Sequence, residues 1–179
     1  MIIFLGIAGS GKTEQSKLLA KQFDFDRISV GELLRNITDE SIKDQLNEGD
    51  LIDDSVVISV LEKALGEIPT DKEFIIDGFP RTIQEATWIS NREPNDIIVI
   101  HLLLNPSIAI ARLKMRNRPD DNTDAIAKRI NEYNKLIEPI LSIFNSKGVQ
   151  ICEVEGSQGI SEVHEEIVKC VEEDEKRVS

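Results

Sequence analysis

The chain has 179 residues, 40% of them apolar and 30% charged, and 33 Asp and Glu against 21 Lys and Arg leave a formal net charge of −12. That length suits one domain, residues 1–179, with a core that takes about 70% of the unfolded surface out of water. The negative field repels phosphodiesters and anionic lipid, so nucleic-acid and membrane-surface binding are not expected and any phosphate chemistry has to be local.

The chain opens on an apolar run, Met1 to Leu5, with no basic segment before it, which is wrong for a signal peptide. Further strand-like runs follow at Phe74 to Ile76, Ile97 to Leu104 and Val149 to Val154. None is long enough to span a bilayer. Helical spacing is clear in Val56, Val57, Val60, Leu61, Ala64 and Leu65, and again in Ile160, Val163, Ile167 and Val171. Another helix is expected from Thr123 through Tyr133 to Pro139. Apolar strands alternating with helices predict an α/β domain of three layers, its sheet parallel and covered on both faces. Cys152 and Cys170 have no CxxC or Cys/His spacing, which predicts neither a disulfide framework nor a zinc site and points to a reducing, cytoplasmic setting. The charged run 172–179 reads as a frayed, solvated tail.

Gly6-Ile7-Ala8-Gly9-Ser10-Gly11-Lys12-Thr13 fits GxxxxGK[ST] between a strand and a helical segment. Its glycines let backbone N–H groups turn onto an anion, the helix start adds a positive dipole end, and Lys12 reaches the β and γ phosphates. The Thr13 hydroxyl suits Mg²⁺. Phe74-Ile75-Ile76-Asp77 is a strand ending in a carboxylate, as a Walker B element requires. Without the cradle, Asp77 reads equally well as a turn or cap residue.

Beside that cradle, Asp77-Gly78-Phe79-Pro80-Arg81-Thr82 resembles the adenylate kinase family of nucleoside monophosphate kinases. Ile28-Ser29-Val30-Gly31-Glu32-Leu33-Leu34-Arg35 is similar to the family's entry into the monophosphate-binding insert, and Glu48-Gly49-Asp50-Leu51-Ile52 to its exit. Arg118-Pro119-Asp120-Asp121-Asn122, with Arg129 and Tyr133, is similar to the lid and the helix after it. The resemblance spans almost the whole chain. It implies a P-loop kinase fold with a parallel five-stranded sheet flanked by helices, the fifth strand near Asp26 to Ile28. It also implies an insert over about residues 29–52 and a minimal lid over about 115–122.

By the same resemblance, Lys12, Arg81, Arg116, Arg118 and Arg129 are catalytic. Gly9, Ser10, Gly11, Lys12 and Thr13 hold ATP, with Arg112 stacked on the donor base. Val30, Arg35, Ile52, Gly78, Arg81 and Glu85 form the monophosphate site, and Thr13 and Asp77 hold Mg²⁺, partly through water. Physical chemistry supports the arginines: phosphoryl transfer gathers several negative charges, and catalysis is positioning plus charge stabilisation. The acceptor oxygen is already ionised, so no general base is needed, and His101, His164 and Trp88 read as packing or surface residues. The partners implied are ATP and a monophosphate, AMP first, on a monomeric cytoplasmic enzyme without zinc.

Three departures shape the expectations. Glu14 puts a negative charge in the first turn after the cradle and is expected to point away from it. Glu85 stands where an adenylate kinase usually has Gln, and Val30 where it has Thr. A carboxylate suits the N1–H and N2–H donors of guanine better than adenine N1, so GMP or another monophosphate is the rival acceptor. Finally, both inserts are short, which predicts lower turnover or more hydrolysis of the donor. A nucleotide-binding module or weak ATPase acting through a protein partner is the reading from another class.

Overall fold

The computed structural model describes residues 1–70, 72–92, 96–116, 118 and 120–178, with side chains omitted over 174–178. Five strands, β1 (Ile2–Gly6), β2 (Asp26–Ser29), β3 (Phe74–Asp77), β4 (Ile98–Leu103) and β5 (Gln150–Glu155), form one sheet in the order β2-β3-β1-β4-β5. Every pairing is parallel. The fifth strand implied by the resemblance is β2, in register with β3 from Asp26 opposite Phe74 to Ser29 opposite Asp77.

Alternation along the strands divides the core into layers, because successive side chains leave opposite faces. Ile3, Leu5, Ile76 and Val99 point to one face. There they meet Leu34 of α2 (Val30–Arg35), Leu46 of α3 (Glu40–Glu48) and Leu61 of α4 (Asp54–Leu65). Ile89 of α5 (Ile83–Ser90) and Phe144 of α7 (Thr123–Ser146) complete that layer. Ile2, Phe4, Ile75 and Ile100 point the other way, onto Leu19 of α1 (Lys12–Phe23) and Val163 and Ile167 of α8 (Ile160–Val178). A third cluster joins Ile7, Ala109 and Leu113 of α6 (Pro106–Arg116), and Ile126 and Ile130 of α7. It ties the loop after β1 to the two helices that carry the distal arginines.

Three expectations are corrected. The helix from Thr123 continues past Pro139 to Ser146. Proline forfeits one helical hydrogen bond, but the released carbonyl belongs to Lys135 on an exposed turn. Beyond it, Ile140, Leu141 and Phe144 stay buried and keep the helix on the sheet. The run expected to fray carries α8 through to Val178. Cys152 of β5 and Cys170 of α8, expected to be unpaired, are joined as a disulfide with Cα atoms 6.3 Å apart. They meet because α8 packs on β5, a neighbour relation that spacing along the chain does not encode.

Gly49 closes α3 at φ 77°, and a Cβ there would lie 2.7 Å from the Ala125 carbonyl oxygen. Gly49→Ala is therefore expected to destabilise the chain by about 1–3 kcal/mol, from left-handed strain plus the clash with α7. Urea unfolding of the variant measures this, and an unchanged midpoint would contradict the close approach.

Candidate active site

In an all-parallel sheet every strand ends on the same side, and the ends of β1 and β3 open there into a cleft of about 420 Å³. The loop after β1 forms its floor. Gly9 takes φ 86° with a Cβ position only 2.8 Å from the Ala109 carbonyl, so the loop can pass under α6 only with glycine there. Gly11 caps α1 at φ 99°. Gly9, Gly11, Lys12 and Thr13 line the cleft. Ser10 is buried behind it, its Oγ 3.4 Å from Lys12 Nζ. Lys12 turns its ammonium back over the loop, donating to the carbonyls of Gly6 at 2.7 Å and Ile7 at 2.9 Å. Burial pushes its pKa down to about 8, against the opposing charge of Asp77.

Asp77 ends β3 with its carboxylate buried, and its Oδ2 accepts from Thr13 Oγ1 at 2.9 Å and from Arg27 at 2.8 Å. The hydroxyl and the carboxylate are hard oxygen donors set side by side at the cradle, which fits Mg²⁺. Among the described residues no group of three or more His, Cys, Asp or Glu could hold a metal ion by itself. Arg27 escaped the sequence reading. Its signal was a charge in a strand that the topology buries, since a buried cation needs a partner across the sheet. Arg27 also donates to Ser16 at 2.8 Å, so it fixes the Asp77 carboxylate from a position inside the sheet layer.

The arginines named from the sequence converge on the same cleft. Arg35, Arg81, Arg112, Arg116, Arg118 and Arg129 all line it, which makes it strongly cationic within an acidic chain. Arg81 is aimed by its own loop, its Nε donating to the Gly78 carbonyl at 2.9 Å. Arg112 donates to the Gly156 carbonyl at 2.9 Å, so the loop after β5 sets its direction. Glu14, expected to turn away from the cradle, instead lines the cleft beside Thr13, exposed to solvent, because the first turn of α1 faces the opening.

Two carboxylates organise the distal cations. Asp121 accepts two hydrogen bonds from Arg116, at 2.8 and 2.7 Å, and one from Arg129 at 3.3 Å. Burial pushes its pKa up, but the bonds from Arg116 outweigh this and hold it below the usual carboxylate value. Asp120 accepts from Arg129 at 2.8 Å and lies 3.9 Å from Arg35. Arg129 also donates to the Leu46 carbonyl at 2.8 Å, and Asn122 to that of Asn47 at 2.9 Å. Lys128 pairs with Asp50. The segment before α7 is thus bonded across to the end of α3. Asn117 and Pro119 of the short lid lie outside the described residues.

Val30, Ile52 and Glu85 stand apart from the main cleft. With Leu34, Leu51, Val57 and Arg81 they line a small second cavity, which meets the first at Leu51 and Arg81. His101 is buried in β4 against the Tyr133 hydroxyl at 2.8 Å, and Trp88 packs edge-on against Phe79.

A glycine-bent cradle, a carboxylate at the end of the neighbouring strand and a ring of arginines on a parallel sheet define a P-loop phosphotransferase of the nucleoside monophosphate kinase class. The family model described as "Adenylate kinase" matches residues 4–149. The chain is 31% identical to the adenylate kinase of Xanthomonas euvesicatoria pv. vesicatoria over 185 residues, covering 95% of this chain and 98% of that one. It is 32% identical to the adenylate kinase of Azobacteroides pseudotrichonymphae over 181 residues, covering 93% and 94%. With the adenylate kinase of Porphyromonas gingivalis it shares 32% over 176 residues, 90% of each chain. The chain belongs to the adenylate kinase family.

Proposed function

We propose that the cleft carries out the family's reaction, transfer of the γ-phosphoryl group of ATP to AMP to give two ADP, with both substrates held by one chain. The observation that carries this reading is the convergence of Lys12 and six arginines on one cleft. An ATPase needs cations only around its donor. Cations on the far side, at Arg35 and Arg81, call for a second phosphate.

In this reading the cradle N–H groups and Lys12 bind the β and γ phosphates, and Arg112 lies against the donor base with its guanidinium plane set by Gly156. Arg35 and Arg81 hold the acceptor phosphate, with Gly78 shaping the turn that aims Arg81. Arg116, Arg118 and Arg129 surround the transferring group and stabilise the charge that spreads over its equatorial oxygens. Asp120 and Asp121 hold Arg116 and Arg129 in place before substrate arrives, so little reorganisation is left for the reaction itself. Thr13 and Asp77 would hold Mg²⁺, which neutralises charge on the donor phosphates when bound.

The domain reading is one kinase unit with a monophosphate insert over about residues 29–52 and a lid over about 115–122. A lid this short excludes water less completely, so ATP hydrolysis without an acceptor is expected as a measurable fraction of transfer. Hydrolysis that is negligible beside transfer would contradict this. Because one chain supplies every proposed contact, we take the active species to be a monomer of 20.1 kDa, which sedimentation tests. Among the described residues no helix is long and apolar enough to cross a membrane. The Cys152–Cys170 disulfide removes the argument from unpaired cysteines, so the cytoplasmic placement we propose rests on the family alone, and recovery of activity from the secreted fraction would overturn it.

The test is diphosphate formation from Mg·ATP with AMP, GMP, CMP, UMP and dTMP offered in turn. AMP is expected to raise ATP consumption most. ATP consumption that ignores every monophosphate would replace this reading by that of a nucleotide-binding module or weak ATPase.

A further inference from the structure

His101 is an imidazole that the proposed transfer does not use, buried within β4 to 5% exposure. It stands between Leu5 of β1 and Glu153 of β5. Its Nε2 lies 2.8 Å from the Tyr133 hydroxyl of α7, and its Nδ1 lies 3.3 Å from Glu153 Oε1. The Glu153 carboxylate is exposed and can only accept, so Nδ1 carries the imidazole proton and Nε2 is left to accept from the Tyr133 O–H. Burial lowers the His101 pKa, against the pull of Glu153, and raises that of the Tyr133 phenol, so acceptor and donor keep these roles at neutral pH.

This bond joins the cradle side of the cleft to its arginine side. One residue beyond Leu5 along β1 is Gly6, whose carbonyl accepts from Lys12 at 2.7 Å. One helical turn before Tyr133 is Arg129, and both line the cleft from the same side of α7. The surrounding cluster of Ile7, Ala109, Leu113, Ile126 and Ile130 is apolar, and such packing has no preferred direction. A hydrogen bond has both a length and a direction, so it fixes what the apolar contacts leave free, the rotation and advance of α7 against the sheet. We propose that His101 is a positioning residue for phosphoryl transfer: through the Tyr133 hydroxyl it holds α7 on the sheet at the setting that aims Arg129 at the transferring phosphate. The inference rests on the reading of this cleft as a monophosphate kinase site, and adds to it a residue that does not itself line the cleft.

Tyr133→Phe keeps the ring in the cleft wall and removes only the hydroxyl, whereas His101→Leu keeps apolar bulk in the sheet and removes the acceptor. Each leaves one polar group without its partner, and any shift of α7 that follows moves Arg129 with it. A misplacement of about 1 Å can cost about 10²-fold in rate, so a loss of about 10- to 100-fold is expected from either change. Substrate binding is assigned to the cradle, Arg112, Arg35 and Arg81, none of which α7 carries, so KM for ATP and for AMP should move by less than about twofold. His101→Gln can place an amide oxygen where Nε2 stands and should restore most of the rate.

The experiment measures single-turnover transfer at saturating ATP and AMP, with steady-state KM for both, in Tyr133→Phe, His101→Leu, the double variant and His101→Gln. The double variant should be no slower than the slower single one, because both changes break the same bond. A wild-type rate in Tyr133→Phe, losses that multiply in the double variant, or a His101→Gln variant as slow as His101→Leu would each overturn the inference and leave the kinase reading standing. Should His101→Leu fail to fold, Tyr133→Phe and NMR of the wild-type imidazole nitrogens decide. A slowed Tyr133→Phe together with a protonated Nδ1 supports the inference, and a protonated Nε2 beside an unprotonated Nδ1 overturns it. Failure of the wild-type chain to phosphorylate any monophosphate overturns the kinase reading together with the inference.

Discussion

Replacing Lys12 by methionine is expected to slow phosphoryl transfer by about 10³-fold or more while leaving the chain folded. Lys12 lines the cleft from the first turn of α1, whereas the arginines enter it from α2, α6 and α7 and from the loops that carry Arg81 and Arg118. Its effect on stability is a balance of two terms. Methionine leaves the Gly6 and Ile7 carbonyls without their donor, which costs about 1–2 kcal/mol. It also removes a buried ammonium whose pKa burial has pushed down to about 8, which is a gain at neutral pH. Single-turnover rates at saturating ATP, beside thermal unfolding, separate the two effects. A variant that transfers at the wild-type rate would remove Lys12 from the site.

Arg129→Ala is expected to lose both activity and stability. The guanidinium touches Asp120, Asp121 and the Leu46 carbonyl together, so its loss weakens the link between the start of α7 and the end of α3, leaving the Asn122 bond to Asn47 and the Lys128–Asp50 pair. Asp120 and Asp121 have side chains only 7% and 1% exposed and would be left with Arg35 and Arg116 as remaining partners. Breaking a buried pair by removing one partner costs about 3–5 kcal/mol, and the lower end applies where other cations remain. Transfer should fall by about 10²–10³-fold from the lost charge stabilisation. Arg129→Lys separates the two effects, since a lysine can restore one ion pair but not the three-way fork. Recovery of stability without recovery of rate is the expected pattern. Full activity in Arg129→Lys would mean that only a point charge is needed there.

What could be read from the sequence was whatever a local run of residues must do by itself. The cradle is such a case: Gly9 and Gly11 have positive φ because backbone N–H groups must turn inward, and the requirement is met within eight residues. Strands β1, β3, β4 and β5 were visible as apolar runs because both faces of the sheet are covered. Helix α3 gave little signal, since Ile42 and Leu46 are the only large apolar residues along it. It is held by Asp39 at its N-cap, by the Gly49 turn and by contacts to α7. The links of Asp120 and Asp121 to Arg35, Arg116 and Arg129 were equally invisible. Such pairs form where the fold brings distant segments together, and one chain carries no record of that distance. Arg27 on Asp77 and the meeting of Cys152 with Cys170 belong to the same class. Glu85 is the reverse case: its departure from the expected amide was plain in the sequence, whereas its burial behind the main cleft, bonded to the Arg81 backbone N–H, became visible only in the fold.

The most direct measurement follows ATP, ADP, AMP and inorganic phosphate together in one reaction at pH 6.5, with AMP present and then omitted. If the arginine-lined cleft joins two nucleotides, ATP and AMP fall in step, two ADP appear for each pair consumed, and phosphate release is the minor route. ATP that falls at the same rate without AMP, with phosphate rising in its place, would contradict the account.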